Sequence, residues 1–362
     1  RLIITNGTAT GLGGLTASAA FDISGGYTGD AAAPRSDVFI AQEGDDCGGG
    51  VYANNARIVI YESEITDNVA SATGRGFGGG VCAVDLPGYN YALRLTSLDL
   101  LKSTISGYVA SAAHDGAGGG VFVANAIGAV SLVQSTIHGN VASAVRNGYG
   151  GGVFYGSLQN GGWVGACNVT ANEASRASGP AHFGRGGGAA FYANAELYIG
   201  SEWTDNVAAQ AARGYGGALY ASDNGRVESH SAVLTHNVAS GGDAGGYGGG
   251  AFLERGQDEV RFNGVTVQGN TAAASGHGGG GGLFVANTSA PVMTVGASYI
   301  DNRAVITAAT GWSFGGGLAF VNADNANVWN CAITDNKAAT GGMDTGSVHR
   351  GGGVYVSDAA SF

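Results

Sequence analysis

The chain has 362 residues, a formal net charge of −11 and only two lysines, Lys102 and Lys337, so its surface repels phosphate backbones and a nucleic-acid partner is not expected. Glycine makes up 69 residues without a Gly-X-Y period, which excludes collagen, and 4 prolines with 44% hydrophobic residues argue against a disordered glycine-rich tract. No apolar run approaches the ~20 residues that a membrane-spanning helix needs, so no transmembrane segment is predicted.

In chain order, residues 1–47 are the irregular part. The chain opens at Arg1 without a methionine, so either a leader has been removed or the sequence belongs to something longer. Leu2-Ile3-Ile4-Thr5-Asn6 reads as half of a repeat, and a long excursion follows before the first glycine triplet. The excursion carries Phe21, Tyr27 and the apolar run Val38-Phe39-Ile40, enough to pack on something.

From residue 48 to 362 one pattern recurs, so the chain reads as a single elongated domain. A triplet such as Gly48-Gly49-Gly50 is followed by apolar or aromatic residues, then by an apolar-x-x-Asn tetrapeptide, then by a small-residue connector. The triplets end at Gly50, Gly80, Gly120, Gly152, Gly188, Ala218, Gly250, Gly282, Gly317 and Gly353, spaced 30 to 40 residues apart. The asparagines keep step at Asn68, Asn140, Asn172, Asn206, Asn237, Asn270, Asn302 and Asn336, with Tyr108 in place of one. A period of this size means a stacked repeat architecture. The short apolar runs after the triplets (Val121-Phe122-Val123-Ala124) fit buried parallel strands. Glycine at this density excludes helices between them. A leucine-rich repeat lacks its leucine frame here, and a propeller blade needs four antiparallel strands per repeat. The remaining solution is all-β: a parallel β-helix, or solenoid, of about ten coils of ~34 residues with three short strands per coil. Inside it the asparagines would form a ladder, each amide donating to one neighbour and accepting from the other. The aromatics before the triplets, Phe77, Tyr149, Tyr215, Tyr247 and Phe314, would stack along one edge.

Gly-Gly-Gly-Val-Tyr, Gly-Gly-Ala-Leu-Tyr and Ile-Thr-Asp-Asn or Trp-Thr-Asp-Asn, alternating over roughly 48–356, resemble the Gly-Gly-Ala-Ile/Leu/Val and Phe-x-x-Asn repeats of the polymorphic outer membrane protein family. Ile, Val, Leu, Trp or Tyr stands here where that family has Phe. The resemblance implies a right-handed coil and a secreted surface protein whose β-helix acts as an adhesin.

The four cysteines are expected to be free thiols. Cys167 and Cys331 align with Ser63, Ser103, Ser135, Ser201, Ala232, Val265 and Ala297, five coils apart, and Cys47 and Cys82 are out of register in neighbouring repeats. No compartment is read from them. Catalytic signals are thin. Gly276-His277-Gly278 and Asp45-Asp46 each match a short motif of polygalacturonase-like hydrolases, but they lie about seven coils apart, ~34 Å at ~4.8 Å per strand, whereas hydrolysis needs its acid and base close together. His114, His182, His277 and His349 fall on non-adjacent coils, a poor geometry for a metal. Asp67, Asp205, Asp301 and Asp335 precede ladder asparagines; turn aspartates explain them, and a Ca²⁺ site is the lesser alternative. The sequons at Asn6, Asn168 and Asn287 are near the chance level.

With no convergent catalytic cluster and no cofactor implied, the chain is expected to be non-enzymatic and extracellular or cell-surface. The first expectation is a structural subunit that stacks head to tail into a filament. Its joint would bring Arg1, Leu2, Ile3, Ile4 and Asn6 of one copy to Val354, Tyr355, Val356 and Phe362 of another, completing a split coil. A piece of a longer stack is the alternative to that joint. An adhesin that binds surface glycans or host surfaces is the second function, and a polysaccharide lyase or hydrolase the third. An enzyme would place several acidic or basic groups on one stripe of adjacent coils.

Overall fold

A computed structural model describes residues 3–5, 20–22, 38–40, 46–54, 56–85, 96–307, 311–340 and 348–358. Arg1, Leu2, Asn6 and Phe362 of the expected joint, and most of the excursion after Asn6, lie outside the described residues. Within these residues the chain is a parallel β-solenoid with no helix.

Each turn contains four or five strand segments rather than three; two neighbouring segments fuse in Gly162–Thr170, Glu196–Thr204, Leu283–Val295 and Leu318–Trp329. In one turn they are a pre-triplet strand Gly76–Phe77, a triplet strand Val81–Val84, a middle strand Ser97–Leu101, an asparagine strand Thr104–Ser106 and a connector strand Val109–Ser111. All pair in parallel with their counterparts one turn on: Val81 with Val121, Leu98 with Val130, Ile105 with Ile137, Val109 with Val141 and Gly76 with Gly116. The stretch leading to the asparagine splits in two in most turns because a residue in the left-handed region interrupts it, such as Glu62 (φ 46°), Lys102 (φ 47°) or Gln134 (φ 50°); before Asn172 and Asn206 it runs unbroken. A second left-handed residue precedes each asparagine; at four of them it is Asp67, Asp205, Asp301 or Asp335, at two a glycine, types that tolerate this backbone, while Ala171 and His236 hold the place before Asn172 and Asn237. The recurring aspartates therefore have a backbone cause. The connector strands form one nine-stranded sheet and the pre-triplet strands one ten-stranded sheet, so the stack has about nine full turns. Ile3–Thr5 pairs in parallel with Glu64–Thr66, taking the asparagine-strand place one turn earlier, and Ala20–Asp22 pairs antiparallel with Val38–Ile40.

Two cores run the length of the stack. Side chains alternate across a strand. The first and third residues of each triplet strand (Val81, Ala83; Val121, Val123) therefore enter the main core with the middle strands (Leu98, Leu100) and the centres of the asparagine strands (Ile105, Ile137, Trp203). The second and fourth (Cys82, Val84; Phe122) enter another core, roofed by the pre-triplet residues Cys47, Phe77, Tyr149, Tyr215 and Phe314. Burial on both faces explains the unalternated apolar runs. Rings file along this second core from Phe122 to Phe154 (4.9 Å between centroids), Tyr192 (5.6 Å), Tyr220 (5.2 Å), Phe252 (5.5 Å) and Phe284 (5.1 Å). The triplets permit the close stacking: Gly118 has φ 59°, and a Cβ on Gly119 would lie 2.1 Å from the Gly151 carbonyl oxygen.

The cysteines depart from expectation. Cys167 and Cys331 are free, but Cys47 and Cys82 form a disulfide, with Cα atoms 5.7 Å apart. The register offset that argued against this pair is the contact rule of the second core. A pre-triplet side chain meets the second triplet-strand residue of the next coil. The same offset joins Phe77 to Phe122 (5.1 Å), Tyr215 to Phe252 (5.4 Å), Tyr247 to Phe284 (5.3 Å) and Phe314 to Tyr355 (4.7 Å).

Candidate functional site

The asparagines stand above one another, and Asn68 through Asn302 are wholly buried. Asn140 Nδ2 donates to Asn172 Oδ1 (2.9 Å) and to the Ile105 carbonyl (3.1 Å), while the Asn140 amide N–H donates to the same Asn172 Oδ1 (3.0 Å). The side-chain bond repeats from Asn172 to Asn206, Asn237, Asn270, Asn302 and Asn336 at 2.9–3.0 Å. Tyr108 carries the ladder across its gap: its hydroxyl accepts from Asn68 (3.2 Å) and its N–H donates to Asn140 (3.2 Å). A second, two-rung ladder escaped the sequence reading. Asn194 Nδ2 donates to Asn224 Oδ1 (2.9 Å) and to the Tyr155 carbonyl (3.2 Å). Both residues lie six positions past their triplets, a spacing that could have revealed them.

The motif residues weighed for catalysis stay apart. Asp46 lies in the first pre-triplet strand and His277 adjoins the eighth, seven steps or ~34 Å away at ~4.8 Å per strand. The Trp312 N–H donates to His277 Nδ1 (3.2 Å), and His349 Nδ1 lies 2.6 Å from the Ser313 hydroxyl. Among the described residues no group of three His, Cys, Asp or Glu side chains could hold a metal ion. Of the joint residues, Ile4 at one end of the stack and Val354 and Val356 at the other are partly buried against the main core, and Tyr355 against the second.

The structure does bring charges together in the second core. Arg185 takes a pre-triplet place and is 3% exposed. Its guanidinium sits 4.4 Å from the Phe183 ring and 5.4 Å from that of Tyr220, and donates to the Tyr192 hydroxyl (3.3 Å). The Tyr220 hydroxyl donates in turn to Glu254, beside which Arg255 pairs with Asp223 (2.7 Å). Burial pushes the Glu254 carboxyl above its usual range, against the pull of Arg255. This network is internal and holds three coils together.

The surface counterpart lies on the outer face of the middle strands, where Asp99, Ser131, Trp163, Tyr198, Glu228 and Arg261 stand in register on successive coils. Arg226 Nη2 is 2.5 Å from Glu228 Oε1 and 3.5 Å from Glu259 Oε2; Arg261 Nε is 3.5 Å from Glu259. His230 Nε2 is 3.4 Å from Glu228, and the Tyr198 hydroxyl donates to Glu196 (3.2 Å). On the other side the Ser131 hydroxyl donates to Asp99 (2.8 Å). Between them Trp163 is 53% exposed, its ring centroid 5.7 Å from that of Tyr198. The sequence reading missed this stripe because each coil contributes one to three residues roughly 30–35 positions from the next set; aligning the outward middle-strand positions by triplet would have assembled it.

Compared with models of known protein families, with curated proteins and with solved structures, the chain finds no match.

Proposed function

We propose that this chain is a non-enzymatic structural solenoid of the cell exterior, a stiff stack that associates with copies of itself coil on coil. The observation that carries this reading is the self-similarity of the coil faces. The surface one coil offers the next recurs along the stack with the same main-chain pairs and the same amide ladder, so a further coil of this kind docks on it without new chemistry. The Cys47–Cys82 bond supports an exterior location, because disulfides persist in oxidising compartments. The test is sedimentation and negative-stain microscopy across a concentration series. End-to-end rods in multiples of ~45 Å (nine turns at ~4.8 Å) are expected; dispersed single rods at the highest concentration would sink self-association.

The outer stripe favours a second reading, an adhesin, in line with the resemblance to polymorphic outer membrane protein repeats. Cleavage of polysaccharides has weaker support. Glu228 and Glu259 stand on adjacent coils, yet both already engage Arg226. No turnover of pectin or related uronates is expected; turnover lost on His277→Ala would restore the enzyme.

A further inference from the structure

The outer stripe has a built floor as well as charges. A Cβ on Gly165 would lie 2.1 Å from Trp163 Nε1, so the indole lies across the sheet over that glycine rather than standing off it. One coil on, Gly165 pairs with Gly200. A Cβ there would meet only the His230 carbonyl, at 3.2 Å, so the floor beside the indole is bare backbone. This bare stretch lies between Trp163 on the coil before it and His230, whose side chain is 50% exposed, on the coil after it.

We propose that this face binds a neutral, linear oligosaccharide laid along the solenoid axis, with one sugar ring over the Trp163 indole and its neighbour over Gly200. Three features select that chemistry. The C–H face of a pyranose is apolar with slightly positive hydrogens and suits the negative face of an aromatic ring. Its hydroxyls both donate and accept, and the groups on either side of the indole do the same: Ser131 and Asp99 below, Glu228, Arg226 and His230 above. The polar groups run along the axis over four coil steps, ~19 Å at ~4.8 Å each, the reach of an extended chain rather than a single sugar. Charge selects against a polyanion: the stripe sets Asp99, Glu196, Glu228 and Glu259 against Arg57, Arg226 and Arg261, on a chain of net charge −11. A protein partner fits less well. Among the described residues the next exposed large apolar ones on this face, Val59 and Tyr61, are three coils below Trp163, so these residues form no contiguous apolar patch.

This binding goes beyond the structural reading and is independent of it, because it is read on single subunits whether or not they stack. The experiment is titration calorimetry of the whole chain with cellohexaose, maltohexaose and hexagalacturonate, repeated on three variants. At least one neutral hexasaccharide should bind, and hexagalacturonate more weakly. Trp163→Ala should weaken the neutral ligand at least tenfold with an unchanged melting temperature. Gly200→Val, which fills the floor from the solvent side, should do the same. Trp329→Ala, which removes the most exposed tryptophan at the far end of the same face, should leave affinity unchanged. Retained affinity in Trp163→Ala, tighter binding of hexagalacturonate, or no binding of either neutral sugar at millimolar concentration would each overturn the proposal.

Discussion

The two cores obey different pairing rules. In the main core every position packs against its own counterpart one coil away: asparagine on asparagine, Ile105 on Ile137, Leu98 on Val130. The second core keeps like-on-like rows such as Phe122 on Phe154 and adds another rule: a pre-triplet residue meets the second triplet-strand residue of the next coil. That rule joins Cys47 to Cys82, Phe77 to Phe122 and Arg185 to Tyr220. A self-paired ladder requires sameness along the chain, and sameness is visible as a repeat. A cross-paired ladder requires complementarity, which lets a disulfide, a ring pair and a cation–ring pair occupy equivalent places.

Breaking the self-paired ladder should cost most. Asn206 accepts from both the main chain and the side chain of Asn172 and donates to Val169 and Asn237. Asn206→Leu strands these buried partners, and at ~1–3 kcal/mol for each unsatisfied group the loss should reach about 3–6 kcal/mol. An unchanged thermal melt would refute the ladder's role.

The cross-paired end should cost somewhat less. The Cys47–Cys82 bond closes a 35-residue separation, for which chain entropy gives about 2–4 kcal/mol. Cys47→Ser should lower the melting temperature and make it insensitive to reductant, whereas the wild type should respond to reductant. Alkylation of the denatured, unreduced chain should label Cys167 and Cys331 alone; four labelled cysteines would remove the bond from the second core.

The smallest effect expected lies in the buried charges and sharpens the comparison by its pH dependence. The folded state holds the Glu254 proton more tightly than the unfolded chain does, because burial disfavours the carboxylate. Acidification through the raised folded value towards 4.5 should therefore stabilise the wild type relative to Glu254→Gln, which has no proton to gain. Melts of both chains at several pH values check the sign; a wild type that loses ground on acidification would contradict it.

The same distinction explains what the sequence disclosed. The triplets, the asparagines and the strands between them repeat like for like, so the all-β stack and the inward-facing Cys167 could be read by aligning equivalents. Cys47–Cys82 could not, because the partners occupy different places in the repeat. The extra break in the stretch before the asparagine is invisible in the sequence because it is a single left-handed residue such as Lys102 or Gln134, whose side chain carries no turn signature. The outer stripe was hidden for a third reason: Trp163, Tyr198 and Glu228 share a position but no chemistry, and solvent demands no sameness of them.

The backbone hydrogen bonds between coils run along the axis, and beyond the continuous chain only the first two coils carry a covalent cross-link. Such a rod is mechanically anisotropic. A tensile load along the axis falls on one coil interface at a time, so the stack should yield as a train of small, nearly equal force peaks that begin away from the Cys47–Cys82 end. A load across the axis shears a whole sheet of bonds together and should meet a much higher threshold. Stretched between its ends in an optical trap, the molecule would behave as an extensible tether that lengthens coil by coil and re-forms in reverse order when the load is released, with the disulfide-linked coils as its last remaining template.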